Sequence, residues 1–434
     1  MKYEEFKRRR RQLMRMVGQG GIAILPAAPL KTLSRDVEYR YRQDSDFFYL
    51  TGFEEPRAVA VLIPNRINGE YLLFCRSKNA DKEQWEGLRA GQEGAVNKFG
   101  ADDAFPIEDL DDILPGIMES CTRVYYSMGV YSEFDTRMAE WVNTLRSRLR
   151  RGAKTPHEFI ALDHLLHDMR LYKSRGELSA MRKSVKVAVK AHKKAMRITK
   201  PGLFEYEIEA EFTHEFRKNN AFNSYNPIVG SGKNGCILHY VKNDKKIENG
   251  ELLLIDAGCE LDYYASDITR TFPVNGKFSP EQLAVYEVVL LAQEAAIEKT
   301  VTGNHWNEPH DAAVKVITKG LKKLGLLEGS LINLLKTEAY KKFYMHRTGH
   351  WIGMDVHDVG DYKVGNEWRI LESGMVTTVE PGIYLGNSSK IPRAFRNIGI
   401  RIEDNVAVTK KGPDVISKSL AKEPDEIESL MRVG

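Results

Sequence analysis

The chain has 434 residues, 42% of them apolar, and its 64 basic side chains nearly match its 60 acidic ones, leaving a net charge of +4. At about 150 residues per domain, this length suits about three domains or two large ones, each able to bury a core. So even a charge balance excludes a strong field for nucleic acid or acidic lipid. No window approaches the ~18 apolar residues of a membrane span, and composition marks no segment as disordered.

At the N-terminus, Arg8, Arg9, Arg10 and Arg11 form a basic run that reads as a solvated helix face. The apolar stretch Gly21 to Leu25 is shorter than a signal h-region of about 7–15 residues, and Pro26 stops it. Strands are expected at Gly21 to Pro26, Ala58 to Pro64, Tyr71 to Cys75 and Val124 to Met128, with a turn at Asn65 to Gly69 and a helix at Phe134 to Arg148. Such alternation suggests an α/β unit. The Arg-, Ser-, Gly- and Lys-rich stretch Leu145 to Pro156 reads as the start of an inter-domain linker.

Two long helical patterns follow. The first, Ser174 to Arg197, opens with Ser174 and Glu177 at capping-box spacing. Thr199 to Gly202 breaks the pattern, and Glu205 to Lys218 forms the next helix. The domain boundary is placed near residue 172. Beyond residue 227, Glu251 to Ile255 is a continuous apolar strand running into Asp256, and Tyr264 to Val274 reads as its return strand. Helices resume at Pro280 to Val301 and Glu308 to Leu324, and strands at Gly374 to Tyr384 and Ile398 to Val408. Cys75, Cys121, Cys236 and Cys259 offer no Cys-x-x-Cys pattern and read as reduced, mostly buried thiols. The protein therefore reads as soluble and cytoplasmic.

The chemistry-bearing residues stand at the ends of these apolar strands. Asp256 ends one strand, and Asp267 lies in its expected return strand. Glu380 ends Met375 to Val379 and is stopped by Pro381 and Gly382. In the strand from Ile398, alternation turns Ile398, Ile400 and Ile402 to a core and puts Arg401 and Glu403 together on the other face. A buried carboxylate must be protonated, paired or bound to a metal. For any one of them alone, a structural salt bridge is the simpler reading. His346, His350 and His357 lie close together in a glycine-spaced loop, which is unusual for histidines that only fill a core.

The order Asp256, Asp267, His350, Glu380, Glu403 resembles the five-ligand dinuclear metal site of the pita-bread metallopeptidases. Ile255-Asp256-Ala257-Gly258 and Ser266-Asp267-Ile268-Thr269-Arg270-Thr271 resemble that family's paired aspartate motifs. The stretch His346 to Asp358 resembles the histidine signature of its aminopeptidase P and prolidase branches, and Thr378 to Tyr384 and Gly399 to Asp404 resemble its two glutamate motifs. Tyr39 to Phe53, Met169 to Ser174 and Ser231 to Tyr240 extend the likeness to aminopeptidase P over nearly the whole chain.

The resemblance implies an α/β (α+β) protein. A smaller creatinase-like α/β domain over residues 1–172, serving oligomerisation and substrate access, would precede a pita-bread catalytic domain over 173–434. It implies two divalent ions, foremost Mn²⁺, held by Asp256, Asp267, His350, Glu380 and Glu403. The implied reaction is hydrolysis of the bond between a first residue and a following proline, by a water or hydroxide bridging the two metals. Glu380 would take the water's proton, and His357, His346 and Arg401 would assist. His239, His346, His357 and Tyr384 would contact substrate. Trp85 would reach the site of a neighbouring subunit in a homotetramer or dimer, the alternative being a local core tryptophan. Prolidase is the nearest rival reading, and a non-catalytic binding module the more distant one. Peptides, and neither nucleic acid nor membrane, are the expected partners.

Overall fold

The computed structural model of the protein describes residues 3–119 and 121–432. The chain divides into two compact units, Met1–Met169 and Arg170–Gly434.

The first unit is built on a six-stranded mixed sheet. Across the sheet the strands run Asp103–Pro106, Tyr71–Cys75, Val59–Leu62, Gly21–Pro26, Arg123–Tyr125 and Glu158–Ile160. The central hairpins are antiparallel, and both outer pairs on the Arg123–Tyr125 side are parallel. Ile22, Ile24, Val59, Val61, Leu72 and Phe74 pack against Leu110, Leu114, Trp141 and Val142 of the helices Leu110–Met118 and Ser132–Ser147. The segment expected to start a linker lies inside this unit, because Glu158–Ile160 joins the same sheet beside Arg123–Tyr125.

The basic run on the helix Tyr3–Val17 is not a uniformly solvated face. Arg9 and Arg10 are buried, at 0% and 3% exposure. Arg9 Nη1 donates to the Tyr49 carbonyl at 3.0 Å and Arg10 Nη1 to that of Leu50 at 2.8 Å. These carbonyls end the helix Ser45–Thr51, where no intrahelical donor remains. Each guanidinium also lies over an aromatic ring, Arg9 on Tyr49 and Arg10 on Tyr71. Trp85 is not a core residue: it sits on the helix Ala80–Glu86 with 89% of its surface exposed, close in sequence to the equally exposed Leu88.

The second unit wraps four long helices, Arg175–Ile198, Glu205–Lys218, Pro280–Lys299 and Glu308–Lys323, around short antiparallel ladders. The capping box at the start of the first is formed: Ser174 Oγ accepts from the Glu177 N–H, and the Glu177 carboxylate accepts from that of Ser174. Ile228–Ser231, Leu252–Asp256 and Thr269–Pro273 form one three-stranded ladder. Its return strand is shorter than the sequence suggests. Tyr264–Ala265 pairs instead with Cys259–Leu261, so Asp267 lies in the break between two ladders.

The last two strands are broken as well, and the breaks face each other. Val376–Val379 pairs with Asp404–Thr409, and Gly382–Leu385 pairs with Ile398–Arg401. Between them the ladder lapses at Glu380 and Pro381 on one chain and at Ile402 and Glu403 on the other. Pro381 has no N–H to give a ladder. The interruption frees Glu380 and Glu403 to turn toward a common centre while Ile398, Ile400 and Ile402 enter the main core. No helix of the described residues is long and apolar enough to cross a membrane. All four cysteines are free, with Cys236 half-buried and the others buried.

Candidate functional site

The four carboxylates and His350 converge at the strand ends of the second unit, on a cavity of about 490 Å³. Asp256 closes its strand opposite Thr269, and Asp267 approaches it from the adjoining loop. That approach needs Gly258, since a Cβ there would run into the Ser266 carbonyl. Tyr225 ties the pair together, its hydroxyl lying 2.5 Å from both Asp256 Oδ1 and Asp267 Oδ1. Donor atoms of Asp267, His350 and Glu403 all lie within 4.8 Å of one another, a spacing that one metal ion spans.

The Trp351 carbonyl fixes which nitrogen of His350 titrates. His350 Nδ1 lies 2.9 Å from the Trp351 carbonyl, which can only accept, so Nδ1 carries the proton and Nε2 faces the acids. Nε2 stands 3.3 Å from Asp267 Oδ2 and 3.5 Å from Glu380 Oε1. Burial alone would depress the imidazolium, but the Asp267 hydrogen bond and the Glu380 charge raise its pKa to about 9. Glu380 is fixed by its own N–H, which donates to the Thr348 carbonyl at 2.7 Å, and by the Thr378 hydroxyl at 3.1 Å. Burial raises its carboxyl to about 7, more than His350 and Arg401 can offset. Glu403 accepts from Thr269 Oγ1 at 2.6 Å, and burial beside the other acids pushes it well above the carboxylate range.

Arg401 begins a chain of contacts that leads out of the acid cluster. Its Nη2 donates to Asp256 Oδ2 at 2.6 Å, its Nε to Thr269 Oγ1 at 3.2 Å and its Nη1 to the Tyr384 hydroxyl at 2.9 Å. Tyr384 in turn lies 2.8 Å from His346 Nε2, and His346 Nδ1 lies 2.7 Å from the Arg347 carbonyl. The carbonyl can only accept, so Nδ1 keeps its proton and donates to it, and Nε2 accepts from Tyr384. Burial, together with the Arg401 charge, depresses His346 to about 3 and keeps it neutral. His357 packs edge-on against His350 with ring centroids 4.4 Å apart, and burial and that neighbour lower its pKa.

The cavity brings together Asp256, Asp267, His350, Glu380, Glu403, His239, His346, His357 and Arg401. Tyr384 joins them through Arg401 and His346. Trp85 belongs to the first unit and is not among the lining side chains. Tyr225 and Arg347 are among the lining residues that escaped sequence reasoning. Tyr225 has no local signature, and only the register that sets Ile228 opposite Asp256 reveals that the preceding loop overhangs the aspartates. Arg347 sits inside the histidine stretch but carries no periodicity to single it out.

Comparison with known proteins agrees with this geometry. The sequence pattern of metallopeptidase family M24 matches residues 179–410, and that of the aminopeptidase P N-terminal domain matches residues 6–125. The chain is 42% identical to the Xaa-Pro aminopeptidase of Escherichia coli strain K12 over 430 residues, covering 99% of this chain and 97% of that one. Among solved structures, aminopeptidase PepP of Pseudomonas aeruginosa superposes with a TM-score of 0.99 at 57% identity, covering 100% of this chain and 98% of that one. A zinc-substituted E. coli aminopeptidase P in complex with product gives 0.97 at 42% identity, covering 100% and 99%. The mixed α/β first unit and the pita-bread second unit are thus those of one family. The chain belongs to metallopeptidase family M24.

Proposed function

We propose that the protein is a metal-dependent Xaa-Pro aminopeptidase, a hydrolase that releases the first residue of a peptide whose second residue is proline. The observation that carries this reading is the convergence of four carboxylates, two buried and two partly buried, and one imidazole nitrogen on a single cavity, in a chain similar over its whole length to Xaa-Pro aminopeptidases. Those relatives favour the aminopeptidase over a dipeptide-only prolidase.

The donor set suits two divalent ions. Fully ionised, Asp256, Asp267, Glu380 and Glu403 would bring four negative charges, against which the cluster itself offers Arg401 and His350. Two divalent cations would supply the missing positive charge, and His350 Nε2 is turned to ligate. Oxygen-rich donors favour hard ions, and Mn²⁺ is our assignment. Bound there, the ions would polarise the scissile carbonyl and acidify the attacking water. Glu380 accepts the water's proton, and its two hydrogen bonds hold it for that task. His357, half-exposed beside His350, donates to the carbonyl oxygen as charge develops on it. Arg401 keeps Asp256 oriented and, through Tyr384, keeps His346 a neutral acceptor. His346, Tyr384 and His239 form the wall for the proline ring, whose amide has no N–H to satisfy.

Residues 1–172 serve oligomerisation and substrate access in this reading, and the exposure of Trp85 supports its insertion into the site of another subunit in a tetramer or dimer. Four free thiols support a reducing, cytoplasmic setting. The test is hydrolysis of Xaa-Pro-Yaa tripeptides against Xaa-Pro dipeptides with added Mn²⁺, in wild type and Glu380→Ala. Tripeptide cleavage that the substitution abolishes is the expected result. Cleavage of dipeptides alone would make the protein a prolidase, and cleavage of neither by metal-loaded protein would end the reading.

A further inference from the structure

Arg347 stands out among the charged side chains of the cavity because no acid answers it. It lines the same cleft as His346 and Glu380, and its side chain is exposed. Its guanidinium carbon lies 5.0 Å from the ring centroid of Trp368, and among the described residues it makes no hydrogen bond or ion pair. Trp368 is a fixed platform: it packs on the cluster of Leu171, Trp306, Trp351, Leu371 and Met375, and its carbonyl lies 2.8 Å from His305 Nδ1. Stacking on an aromatic face orients a guanidinium and leaves its N–H edge free. That edge is a two-pronged donor matched to a carboxylate.

The surroundings strengthen the positive charge. Lys363 also lies over Trp368, with Nζ 4.6 Å from the ring centroid. The nearby Lys341 is already engaged with Glu338 at 2.6 Å. Arg347, unlike Lys341, is therefore both oriented and unpaired among the described residues, and it lines the cleft.

Its place along a bound peptide follows from the reading proposed above, on which this inference rests. The substrate's amino end sits among the acids, and its proline lies against His346 and Tyr384. Each further residue advances the chain by about 3.3–3.6 Å. Arg347 adjoins His346 in sequence and lines the same wall, so its side chain meets the peptide one residue past the proline. We infer that Arg347 is a specificity-determining residue that binds a carboxylate just beyond the proline, either the free C-terminus of a tripeptide or an acidic third side chain.

The experiment compares kcat/KM in metal-loaded enzyme for Xaa-Pro-Ala as free acid and as C-terminal amide. In parallel it compares amide-capped longer peptides that differ only by Glu or Gln in third place. Wild type is expected to favour the carboxylate of one or both pairs by about tenfold, and which pair responds identifies the source of the carboxylate. In Arg347→Gln that ratio should fall to about one or two, and Arg347→Lys should restore part of it. Lys341→Gln should keep the wild-type ratio.

A wild type that shows no preference for the carboxylate in either pair would overturn the inference alone. So would a ratio that survives Arg347→Gln, or one that Lys341→Gln lowers just as much, since the preference would then come from the general field. Failure to cleave every peptide, the neutral amide included, would sink the aminopeptidase reading and this inference with it.

Discussion

Asp358 and Glu403 are both buried carboxylates, yet their surroundings differ in kind. Asp358 receives Arg170 Nη2 at 2.6 Å on one oxygen and Lys173 Nζ at 2.9 Å on the other. Burial would raise its carboxyl, but those two cations hold it below the ordinary range. Asp404, one residue past Glu403, is likewise matched by Arg270 at 2.8 Å, Gln293 at 2.7 Å and Ser417 at 2.6 Å. The Glu403 carboxylate accepts from a threonine hydroxyl and faces other acids, and its carboxyl is driven up. Asp358 and Asp404 are closely balanced by cations, whereas the cluster around Glu403 is left short of positive charge. The difference teaches that the first arrangement is a structural clamp, complete in itself, whereas the second has the charge deficit that the proposed function assigns to cations from outside.

The largest test of that contrast is Glu380→Ala. Loss of the proton acceptor should lower kcat by about 10³–10⁴-fold at saturating metal, with the circular dichroism spectrum retained. A fall below tenfold would remove Glu380 from the chemistry. In the balanced cluster the loss should appear in stability. Asp358→Asn takes the carboxylate from the buried Lys173 and leaves Arg170 with Asp355, and should cost about 3–5 kcal/mol in urea or thermal unfolding.

Acid sharpens the reading of Asp358. A carboxyl depressed in the folded state binds fewer protons than it does unfolded. Its contribution is therefore complete above the usual value of 3.8 and fades as pH falls through the lower folded value. Wild type should lose this share of its stability on acidification below that point, and Asp358→Asn should show a shallower acid limb. Equal limbs would mean that Asp358 is not anionic in the native protein.

Much of the site could be read without coordinates because its elements are locally decisive. The bounds of Gly21–Pro26, Tyr71–Cys75 and Glu205–Lys218 follow from apolar runs and punctuation that tertiary contacts do not override. The acids at Asp256 and Glu380 stood out because a charge at the end of a fully apolar strand must find a partner. What stayed hidden depends on contacts remote in sequence. Arg9 and Arg10 look like any solvated basic run until the carbonyls of Tyr49 and Leu50, some forty residues on, are placed against them. The stretch after Leu145 has linker composition, yet Glu158–Ile160 is claimed by a sheet edge. The paired breaks at Glu380 and Glu403 are a property of two strands together, and alternation within either strand gives no sign of them.

Metal addition separates the two clusters by a smaller margin. Raising Mn²⁺ to about 100 times its dissociation constant should stabilise the wild type by ~2.7 kcal/mol in thermal melts after chelation. Glu403→Gln should shrink that gain, because a donor is lost. Asp358→Asn should leave the gain in place although its baseline is lower. If both variants kept the full gain, Glu403 would not be a ligand and the unbalanced cluster would need another explanation.

The smallest effect expected is that of Tyr225→Phe. The phenol lies within hydrogen-bond reach of Asp256 and Asp267, and burial beside those two charges pushes its pKa well above 10, so it keeps its proton and acts as a donor. One O–H can serve only one carboxylate at a time, so neither aspartate relies on it fully. Groups that orient metal ligands typically matter by 10–100-fold in affinity, and a donor shared between two acids belongs at about the tenfold end. Competition with a fluorescent chelator measures this directly, and Asp358→Asn, in the balanced cluster, is the control. Unchanged affinity in Tyr225→Phe would show that the aspartates are held by Arg401 and their backbone alone. A loss of a hundredfold or more would show that the phenol, rather than the strand geometry, sets their separation.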